Sequence, residues 1–571
     1  MNRCEHPKPQ FVREDWVNLN GKWNFSFDFG LSGLDKEWNI NTDEMKGEIN
    51  VPFCPESELS GVGYKDFING IWYTRDLPVP DSWKGDRVFL HFGAADYETS
   101  VFVNGVLAGK HYGGGVSFSF DITDFLNDAD NKLVVFVKDT PRYGQQRGKQ
   151  CDKFKRYGCL YTRTTGIWQT VWLERRPNAY IEKVKIQSDF DGSKFIFTPV
   201  FRNNAIGDKF RVSVKKNDTM LTSEYSAQSG IPVFFEVKDF IPWSPENPYL
   251  YDIEFELVSE NGTDKVKSYG AMRKISVEKG KFYLNNEEIF LRFVLDQGFY
   301  PKGIWTAPSD EDLKNDIVLS QNAGFNGARL HQKVFEERFL YHADTLGYLV
   351  WAENYDWGLS WDDYYNMQNF ENEWAEEIER DVSHPCIIGW TLFNETSYCN
   401  EVPGNRDKHD KFVKHIYDLT HAMDPTRPVN DTSGYVHVKT DIYTIHDYEQ
   451  DAKKLAERYA DMEEGMIFEA DASIPKVKWT GQPFIIDEYG GPFWAPENKD
   501  NDAWGYSGNN DIEEVYGKIE KLTAALTDNP KMAGFCYTQL TDVEQEKNGV
   551  YTYERKLKFD MKRIKSYFSR P

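Results

Sequence analysis

The stretch "CIIGWTLFNE", Cys386 to Glu395, is an apolar run that ends on an amide and a carboxylate. Strands of a parallel sheet have this pattern, because helices cover both faces of the sheet and polar residues come only where the strand emerges. The stretch therefore predicts a buried parallel strand with Asn394 and Glu395 at its carboxyl end.

Seven similar runs alternate with helical stretches from about Arg273 onward. In chain order they are "IFLRFVLDQ", "FNGARLH", "YLVWAEN", "RPVNDTS", "DIYTIHDY", "PFIIDEYG" and "MAGFCYTQL", and the Cys386 run is the fourth of the resulting eight. Eight such strands with helices between them are the pattern of a (β/α)8 barrel, or TIM barrel. We therefore predict this barrel over residues 274–571.

The N-terminal half has a different period. Up to Pro177 the chain shows short alternating runs with turn residues between them, and Asn104-Gly105 between two apolar runs predicts a hairpin. This pattern predicts an all-β sandwich over residues 1–177. Alternation continues through "KFIFTPVFRN" and "KFRVSVKK", which predicts a second sandwich of immunoglobulin size over residues 178–273.

Composition limits the partners and the compartment. The net charge of −24 would repel a phosphate backbone, so we expect no nucleic-acid partner. The seven cysteines are an odd number without a C-x-x-C pair, which favours reduced thiols in a cytoplasmic protein. The first residues lack the apolar core of a signal peptide, and no run approaches the roughly 18 residues that span a bilayer. We therefore expect a cytoplasmic protein with no membrane partner.

Polar or ionisable groups end nearly every predicted barrel strand. In chain order these are Asp296 and Gln297, Arg329 and His331, Glu353 and Asn354, Asn394 and Glu395, Asp431, His446 with Asp447 and Tyr448, Asp487 and Glu488, and Tyr537 with Gln539. The loops at the carboxyl ends of barrel strands build the active site in this fold. The set predicts a site for a polyhydroxylated substrate.

Glu395 and Glu488 differ from the other residues at the strand ends because each directly follows an apolar run. They end strands 4 and 7, which lie across the mouth of an eight-stranded ring. Glycoside cleavage needs one carboxylic acid to protonate the leaving oxygen and one carboxylate to reach the anomeric carbon. We expect burial and the neighbouring carboxylate to raise the pKa of the acid, and a cation such as Arg329 to keep the nucleophile ionised.

Several motifs resemble glycoside hydrolase family 2, the family of β-galactosidases and β-glucuronidases. "FNE" and "IIDEYGG" resemble its acid/base and nucleophile motifs, "TTGIWQTVWLE" and "NGIWYTR" resemble its first domain, and "GFNGARLHQ" resembles its second barrel strand. The resemblance covers nearly the whole chain. It implies a jelly-roll β-sandwich, an immunoglobulin-like β-sandwich and a catalytic barrel, in that order.

The resemblance also implies roles for individual residues. Glu395 is the expected acid/base and Glu488 the expected nucleophile of a retaining, exo-acting β-glycosidase that works by double displacement. The expected substrate-binding residues are Asn394 at the sugar 2-hydroxyl, Tyr448 against the nucleophile, Arg329 and His331 beneath or beside the first sugar, and Tyr537 in the floor, where many relatives carry Trp. Asp296 and Gln297 replace a His-rich segment of several relatives, so we expect them to bind outer hydroxyls.

Four further residues have two interpretations each. His446 fits a buried core histidine as well as a substrate-binding residue. Asp487 is better interpreted as a structural acid than as a third catalytic one. Trp494, in the polar loop after strand 7, could stack on a sugar face, as could Trp504, or could pack in the core.

The terminal sugar is the open question. Family β-glucuronidases carry an Asn-x-Lys motif after strand 8, and "TDVEQEKNGVYTYERKLKFD" contains none, so we expect a β-D-galactoside first. Arg555, Lys556 and Lys558 leave a β-hexuronidase open, either a β-galacturonidase or an atypical β-glucuronidase. A catalytically silent carbohydrate-binding protein is the third alternative. No metal-site spacing is present and no cofactor is expected; relatives are often dimers or tetramers, so a homo-oligomer is also open.

Overall fold

Eight parallel strands form the wall of the C-terminal barrel, as the sequence predicts. They are β1 (Leu291–Asp296), β2 (Gly327–Leu330), β3 (Leu349–Glu353), β4 (Ile387–Asn394), β5 (Val429–Ser433), β6 (Tyr443–His446), β7 (Phe484–Tyr489) and β8 (Met532–Tyr537). The strands follow the order β5-β4-β3-β2-β1-β8-β7-β6 in the sheet. The two edge strands, β5 and β6, therefore meet where the nearly closed ring is open. The carboxyl ends of all eight strands therefore face one mouth.

This architecture comes from a computed structural model that describes residues 3–140, 144–260, 262–396, 404–463, 467–468, 476–497 and 500–570. Cys399 and Ser397 lie outside the described residues. The six described cysteines are free thiols. In the described parts of the chain, no helix is long and apolar enough to cross a membrane.

The helices that connect the strands surround the barrel. In the described residues they are α1 (Asp310–Ala323), α2 (Glu337–Leu346), α3 (Tyr364–Asp381), α4 (Asn405–Met423), α5 (Ala452–Tyr459), α6 (Ile512–Thr527) and α7 (Met561–Phe568). The start and end of α1 follow its sequence. The Ser309 side chain accepts from the Asp312 N–H at the amino end, and Gly324 takes the left-handed conformation, with φ of 105°, at the carboxyl end.

The connection between β5 and β6, residues 434–442, is a loop without a helix. Asp431 holds it, because the carboxylate accepts hydrogen bonds from the N–H groups of Val438 and Lys439 at 2.6 and 2.9 Å and pairs with His437 at 2.7 Å. Asp431 is fully buried. The Asp431 side chain thus supports a loop and does not enter the mouth.

The first domain is a sandwich of two antiparallel sheets. One sheet contains Trp16–Asn18, Val171–Arg176, Arg87–Phe92 and Phe118–Asp121; the other contains Gly47–Val51, Gly21–Phe27, Gly70–Asp76, Lys132–Lys138, Glu98–Val103 and Val106–Tyr112. A short pair joins Gly166–Ile167 to Ala95–Asp96, and 3-10 turns occupy Asp81–Trp83 and Thr123–Phe125. The predicted hairpin at Asn104-Gly105 is confirmed, since both residues have positive φ, 52° and 82°.

The second domain has seven strands in two sheets, as an immunoglobulin-like sandwich requires. One sheet contains Tyr180–Asp189, Lys194–Arg202 and Val233–Glu236; the other contains Thr219–Ser226, Lys209–Lys216, Tyr251–Ser259 and Gly262–Gly270. A three-stranded sheet, Ile275–Glu278, Lys281–Leu284 and Glu287–Ile289, leads into the barrel.

The first domain packs against the loops at the barrel mouth. The Gly115 N–H donates to Glu373 of α3 at 2.8 Å, and Trp168 contacts Trp305 edge to face at 5.2 Å between ring centroids. The Tyr161 hydroxyl donates to Glu546 in the loop after β8 at 2.5 Å. Because of these contacts, residues of the first domain reach the carboxyl ends of the barrel strands.

Candidate active site

Glu395 lies immediately past the end of β4, where the backbone turns sharply. Its φ of 51° is in the left-handed region, which a residue with a Cβ rarely adopts and which costs about 1–3 kcal/mol. The Glu395 N–H donates to Ser433 O at the end of β5 at 2.9 Å, and the Asn394 N–H donates to Asp356 at 3.0 Å. The neighbouring strands thus hold this turn and fix the position of the carboxylate.

His446 lies between the two candidate catalytic carboxylates. Its Nδ1 is 2.7 Å from Glu395 Oε1 and 3.4 Å from Glu488 Oε2. One oxygen of each carboxylate and a nitrogen of His446 all lie within 4.8 Å of one another. The other nitrogen, Nε2, is 2.8 Å from the Ser433 hydroxyl, which donates to Asp487 at 2.6 Å. His446 is therefore a buried residue of the site, and its partners are the two carboxylates.

Arg329, at the end of β2, holds Glu488 from the interior of the barrel. The guanidinium is fully buried, donates to Glu488 Oε1 at 3.0 Å and to Asn394 Oδ1 at 2.6 Å, and pairs with Glu353. A buried guanidinium needs several acceptors, because an unpaired buried charge is costly. Arg329 thus joins the ends of β2, β3, β4 and β7 in one network.

The charges of this network decide the ionisation of the carboxylates. Burial raises the pKa of Glu395, but the hydrogen bond and charge of His446, with Lys149 and Arg329, outweigh burial and lower that pKa to about 2. Burial likewise raises the pKa of Glu488, and His446 and Arg329 lower it below its usual range. The expectation of a raised pKa for Glu395 is therefore wrong in the absence of a ligand, because the sequence did not show a cation between the two carboxylates.

His446 itself has the opposite shift. Burial lowers the pKa of His446, while the charges of Glu488, Asp487 and Glu395 raise it above its ordinary value. The two carboxylates therefore favour the imidazolium form of His446 over the neutral ring.

Three more of the predicted substrate-binding residues lie in the network around Glu395, His446 and Glu488. The Tyr448 hydroxyl donates to Glu488 Oε2 at 2.5 Å, and its ring stacks on Tyr506 at 3.5 Å. His331 Nδ1 is 2.9 Å from Glu353, and burial with the charges of Lys149 and Arg329 lowers the pKa of His331 well below its usual value. The side-chain NH2 of Asn394 is buried and has no hydrogen-bond partner in the described part of the chain.

Asp296 and Tyr537 lie away from the carboxylate pair, so the structure does not support their predicted contacts with substrate. Asp296 accepts from the Gly298 N–H at 2.9 Å and lies near Asp316 of α1, because successive residues of a strand point to opposite faces. The Tyr537 ring packs on Phe568 of α7, with 4.9 Å between ring centroids, and therefore faces the helices. The next residue, Thr538, contacts the Tyr448 hydroxyl at 3.2 Å.

Gln297 and Trp494 lie at the edge of the site. Gln297 donates to the Tyr161 hydroxyl at 2.9 Å and to Gln539 at 2.5 Å, and so belongs to a network with Glu546. Trp494 is half-buried, and its N–H donates to Lys547 O at 3.2 Å. The structure records no contact of Trp494 with Glu395 or Glu488.

Two residues near the carboxylates were not found by reading the sequence. Lys149 comes from the first domain, and its ammonium lies 3.8 Å from the centroid of the Trp357 ring, in the loop after β3. The indole N–H of Trp357 donates to Asn394 O at 3.1 Å, beside Glu395. No periodicity marks Lys149, since it lies in a loop of another domain.

Two groups of described side chains have potential metal-ligand atoms within 4.8 Å of one another. One is Glu395, His446 and Glu488; the other is Asp344, His384 and Cys386, near the second domain. In the second group, Asp344 Oδ2 accepts from the Tyr269 hydroxyl at 2.8 Å and lies 2.6 Å from His384 Nδ1. Hydrogen bonds within each group account for its geometry without an ion.

All three domains match one family. Residues 275–570 match the TIM barrel domain of glycosyl hydrolases family 2, and residues 16–177 match the sugar binding domain of that family. Residues 179–273 match the domain described as glycosyl hydrolases family 2.

Individual relatives are distant. The chain is 26% identical to a beta-galactosidase of Thermoanaerobacter pseudethanolicus over 76% of this chain and 58% of that protein, so it spans about three fifths of that relative. It is 24% identical to a beta-glucuronidase of Paenibacillus borealis over 74% of each protein. The b-glucuronidase from Ruminococcus gnavus in complex with N1-substituted uronic isofagomine has the same fold, with a TM-score of 0.80, 18% identity and 98% coverage of both chains. From the family matches over its three domains, this chain is a member of glycosyl hydrolase family 2.

Proposed function

We propose that the protein is a retaining β-glycosidase that removes a terminal β-linked sugar by double displacement. The observation that carries the proposal is the separation of the two carboxylates, which have one oxygen each within 4.8 Å. Retaining glycosidases place the two groups about 5–5.5 Å apart, whereas inverting enzymes leave about 6.5–9.5 Å for a water molecule.

Glu488 is the nucleophile in this proposal. Arg329 and Tyr448 each donate a hydrogen bond to a different oxygen of Glu488, so the carboxylate is oriented as well as ionised. Attack on the anomeric carbon forms a glycosyl ester and removes the charge of Glu488. The NH2 group of Asn394, which has no hydrogen-bond partner among the described residues, is available to donate to the hydroxyl next to the anomeric carbon.

Glu395 is the acid/base, and His446 supplies its proton. His446 Nδ1 lies 2.7 Å from Glu395, which is within hydrogen-bond distance for proton transfer. As Glu488 attacks the anomeric carbon and loses its charge to the new ester bond, a proton passes from His446 through Glu395 to the leaving oxygen while the glycosidic bond breaks. In the second step Glu395 takes a proton from water, which attacks the glycosyl ester and releases the sugar.

Two terminal sugars are candidates for the substrate. The missing Asn-x-Lys motif favours a β-D-galactoside. The substitute cations predicted from the sequence do not change this, because Arg555 pairs with Asp316 at 2.9 Å and Lys558 with Asp542 at 2.7 Å, while Lys556 is exposed. Lys149 favours the second candidate, a β-hexuronide, because it brings a positive charge to the carboxylate pair from the first domain.

A panel of chromogenic β-glycosides tests the proposal. We expect turnover of at least one galactoside, glucuronide or galacturonide, and loss of all turnover in Glu488→Gln. Silence of the wild-type protein on the whole panel would instead support a carbohydrate-binding protein.

A further inference from the structure

Lys149 is held over the barrel mouth by a close approach of two backbones. The Arg147 N–H donates to Trp357 O at 2.9 Å, and the Gly148 N–H donates to Tyr355 O at 3.2 Å. Gly148 has φ of 55°, and a Cβ at this position would lie 2.2 Å from Gln332 O in the loop after β2. Only glycine permits this contact, so the segment is built to place Lys149 at the mouth.

The surroundings of Lys149 hold its ammonium near the site. The Tyr161 N–H donates to Lys149 O at 2.8 Å and fixes the backbone, while the ammonium lies on the face of Trp357. Such a contact within about 6 Å of a ring centroid stabilises a cation. Trp357 is itself hydrogen-bonded to Asn394 O, so the ammonium lies beside the residues that would surround a bound sugar.

Among the residues that the structure describes, the buried cation Lys149 has no direct carboxylate partner. It is 6% exposed, and in the described ranges of the chain no carboxylate oxygen lies within 4.0 Å of its ammonium. Buried charges are normally paired because isolated ones are costly. Three other described cations at this end of the barrel are engaged: Arg329 by Glu353 and Glu488, Arg555 by Asp316, and Lys333 by two backbone carbonyls.

The charges around Lys149 keep its ammonium protonated at this position. Burial lowers the pKa of Lys149, but Cys159, Glu395, Glu488 and Glu546 raise it by more, so the side chain stays charged. Glu546 does not neutralise it directly, since its two oxygens accept from the Tyr161 hydroxyl and from Asn548 at 2.5 and 2.9 Å.

We propose that Lys149 is the specificity-determining cation of the site and that its ammonium binds the carboxylate of a β-linked hexuronide. The inference rests on the proposed glycosidase function and adds the substrate class. A uronate carboxylate that enters a partly dried pocket needs a cationic partner, and Lys149 supplies one from the first domain where the loop after β8 has no Asn-x-Lys motif.

The test compares two substrates within each variant. We would measure kcat/KM for 4-nitrophenyl β-glucuronide, β-galacturonide and β-galactoside with the wild type, Lys149→Met and Lys149→Arg. The wild type should prefer a hexuronide. In Lys149→Met the hexuronide-to-galactoside ratio should fall at least tenfold, or about 1.4 kcal/mol, and Lys149→Arg should retain part of the preference. Effects on catalysis common to both sugars cancel in this ratio.

Lys153→Met is the matched control. Lys153 lies in the same segment and also places its ammonium over a ring, 3.9 Å from the Tyr157 centroid, but it is exposed. Its removal should leave the ratio unchanged. A ratio that falls equally in Lys153→Met, or that does not fall in Lys149→Met, would overturn the inference.

A binding measurement separates this inference from the proposed function. By calorimetry, free glucuronic or galacturonic acid should bind the wild type more tightly than galactose, and Lys149→Met should abolish the difference, even if no substrate is turned over. Turnover of galactosides with no preference for either uronic acid would overturn the role of Lys149 and leave the glycosidase function intact. A preference for galactoside 6-phosphate over both hexuronides would overturn the carboxylate assignment.

Discussion

Replacement of His446 by glutamine should raise the pH at which the acidic limb of the activity profile falls. Glutamine keeps a hydrogen-bond donor near Glu395 but removes the positive charge between the carboxylates. A hydrogen bond to a charged group contributes about 1.5–3 kcal/mol, and one pKa unit corresponds to about 1.36 kcal/mol. His446 Nδ1 also lies 3.4 Å from Glu488 Oε2, and its charge holds the pKa of that nucleophile below its usual range. Loss of the charge should therefore raise the pKa of Glu488 and move the acidic limb upward by roughly 1–2 pH units.

The assay is the pH profile of kcat/KM on an activated aryl glycoside, which reports the ionisation of the free enzyme. His437→Gln is the control, because His437 makes a similar buried contact, 2.7 Å from Asp431, away from the carboxylate pair. Its acidic limb should not move. An unmoved limb in His446→Gln, or an equal shift in His437→Gln, would refute the role of His446.

The same charges make stability depend on pH. The lowered pKa values of Glu395 and Glu488 give a contribution that is full above the unfolded value of 4.5 and is lost as pH falls through the folded values. The raised pKa of His446 gives a contribution that is full below 6.5 and is lost as pH rises through its folded value. Both contributions to the folding stability are therefore complete only between pH 4.5 and 6.5. In thermal melting, the decrease in Tm from wild type to His446→Gln should be largest in this pH range.

Three further outcomes follow from the geometry. Glu395→Gln should slow glycosides with poor leaving groups about 10²–10⁴-fold and spare activated aryl glycosides, as measured by kcat/KM across a leaving-group series; equal losses would contradict the acid role. Tyr448→Phe removes the 2.5 Å hydrogen bond to Glu488 and should lower kcat on every substrate without changing the order of sugar preference, whereas a change of that order would show direct contact with the sugar. Proton NMR of the first-formed sugar should show the β-anomer, because two inversions retain configuration; an α-anomer would exclude Glu488 as nucleophile.

The barrel strands and most of the candidate site follow from the sequence. Fully buried strands such as β4 and β7 are continuous apolar runs, so their ends, and with them Glu395 and Glu488, can be located to the residue. Arg329, His331 and Tyr448 follow because all carboxyl ends of the strands meet at one mouth.

The sequence did not predict which way each side chain points at the end of a strand, nor did it predict the contacts between domains. Asp296 and Gln297 are neighbours, yet one faces the helices and the other the mouth, because side chains alternate along a strand. His446 has the same apolar surroundings in sequence whether it is a core residue or a bridge between carboxylates, and only the fold brings Glu395 and Glu488 to it. Lys149 reaches the site through packing between two domains, which leaves no pattern in the sequence.

Covalent trapping tests the role of Glu488 most directly. The protein would be incubated with aryl 2-deoxy-2-fluoro-β-glycosides of galactose and glucuronic acid, which slow release of the glycosyl ester more than its formation, and then analysed by intact and peptide mass spectrometry. We predict an increase equal to one fluorosugar, attached to the peptide that contains Glu488 and absent in Glu488→Gln. Turnover of the parent glycoside with no adduct, or an adduct on Glu395, would contradict the double-displacement mechanism proposed for this site.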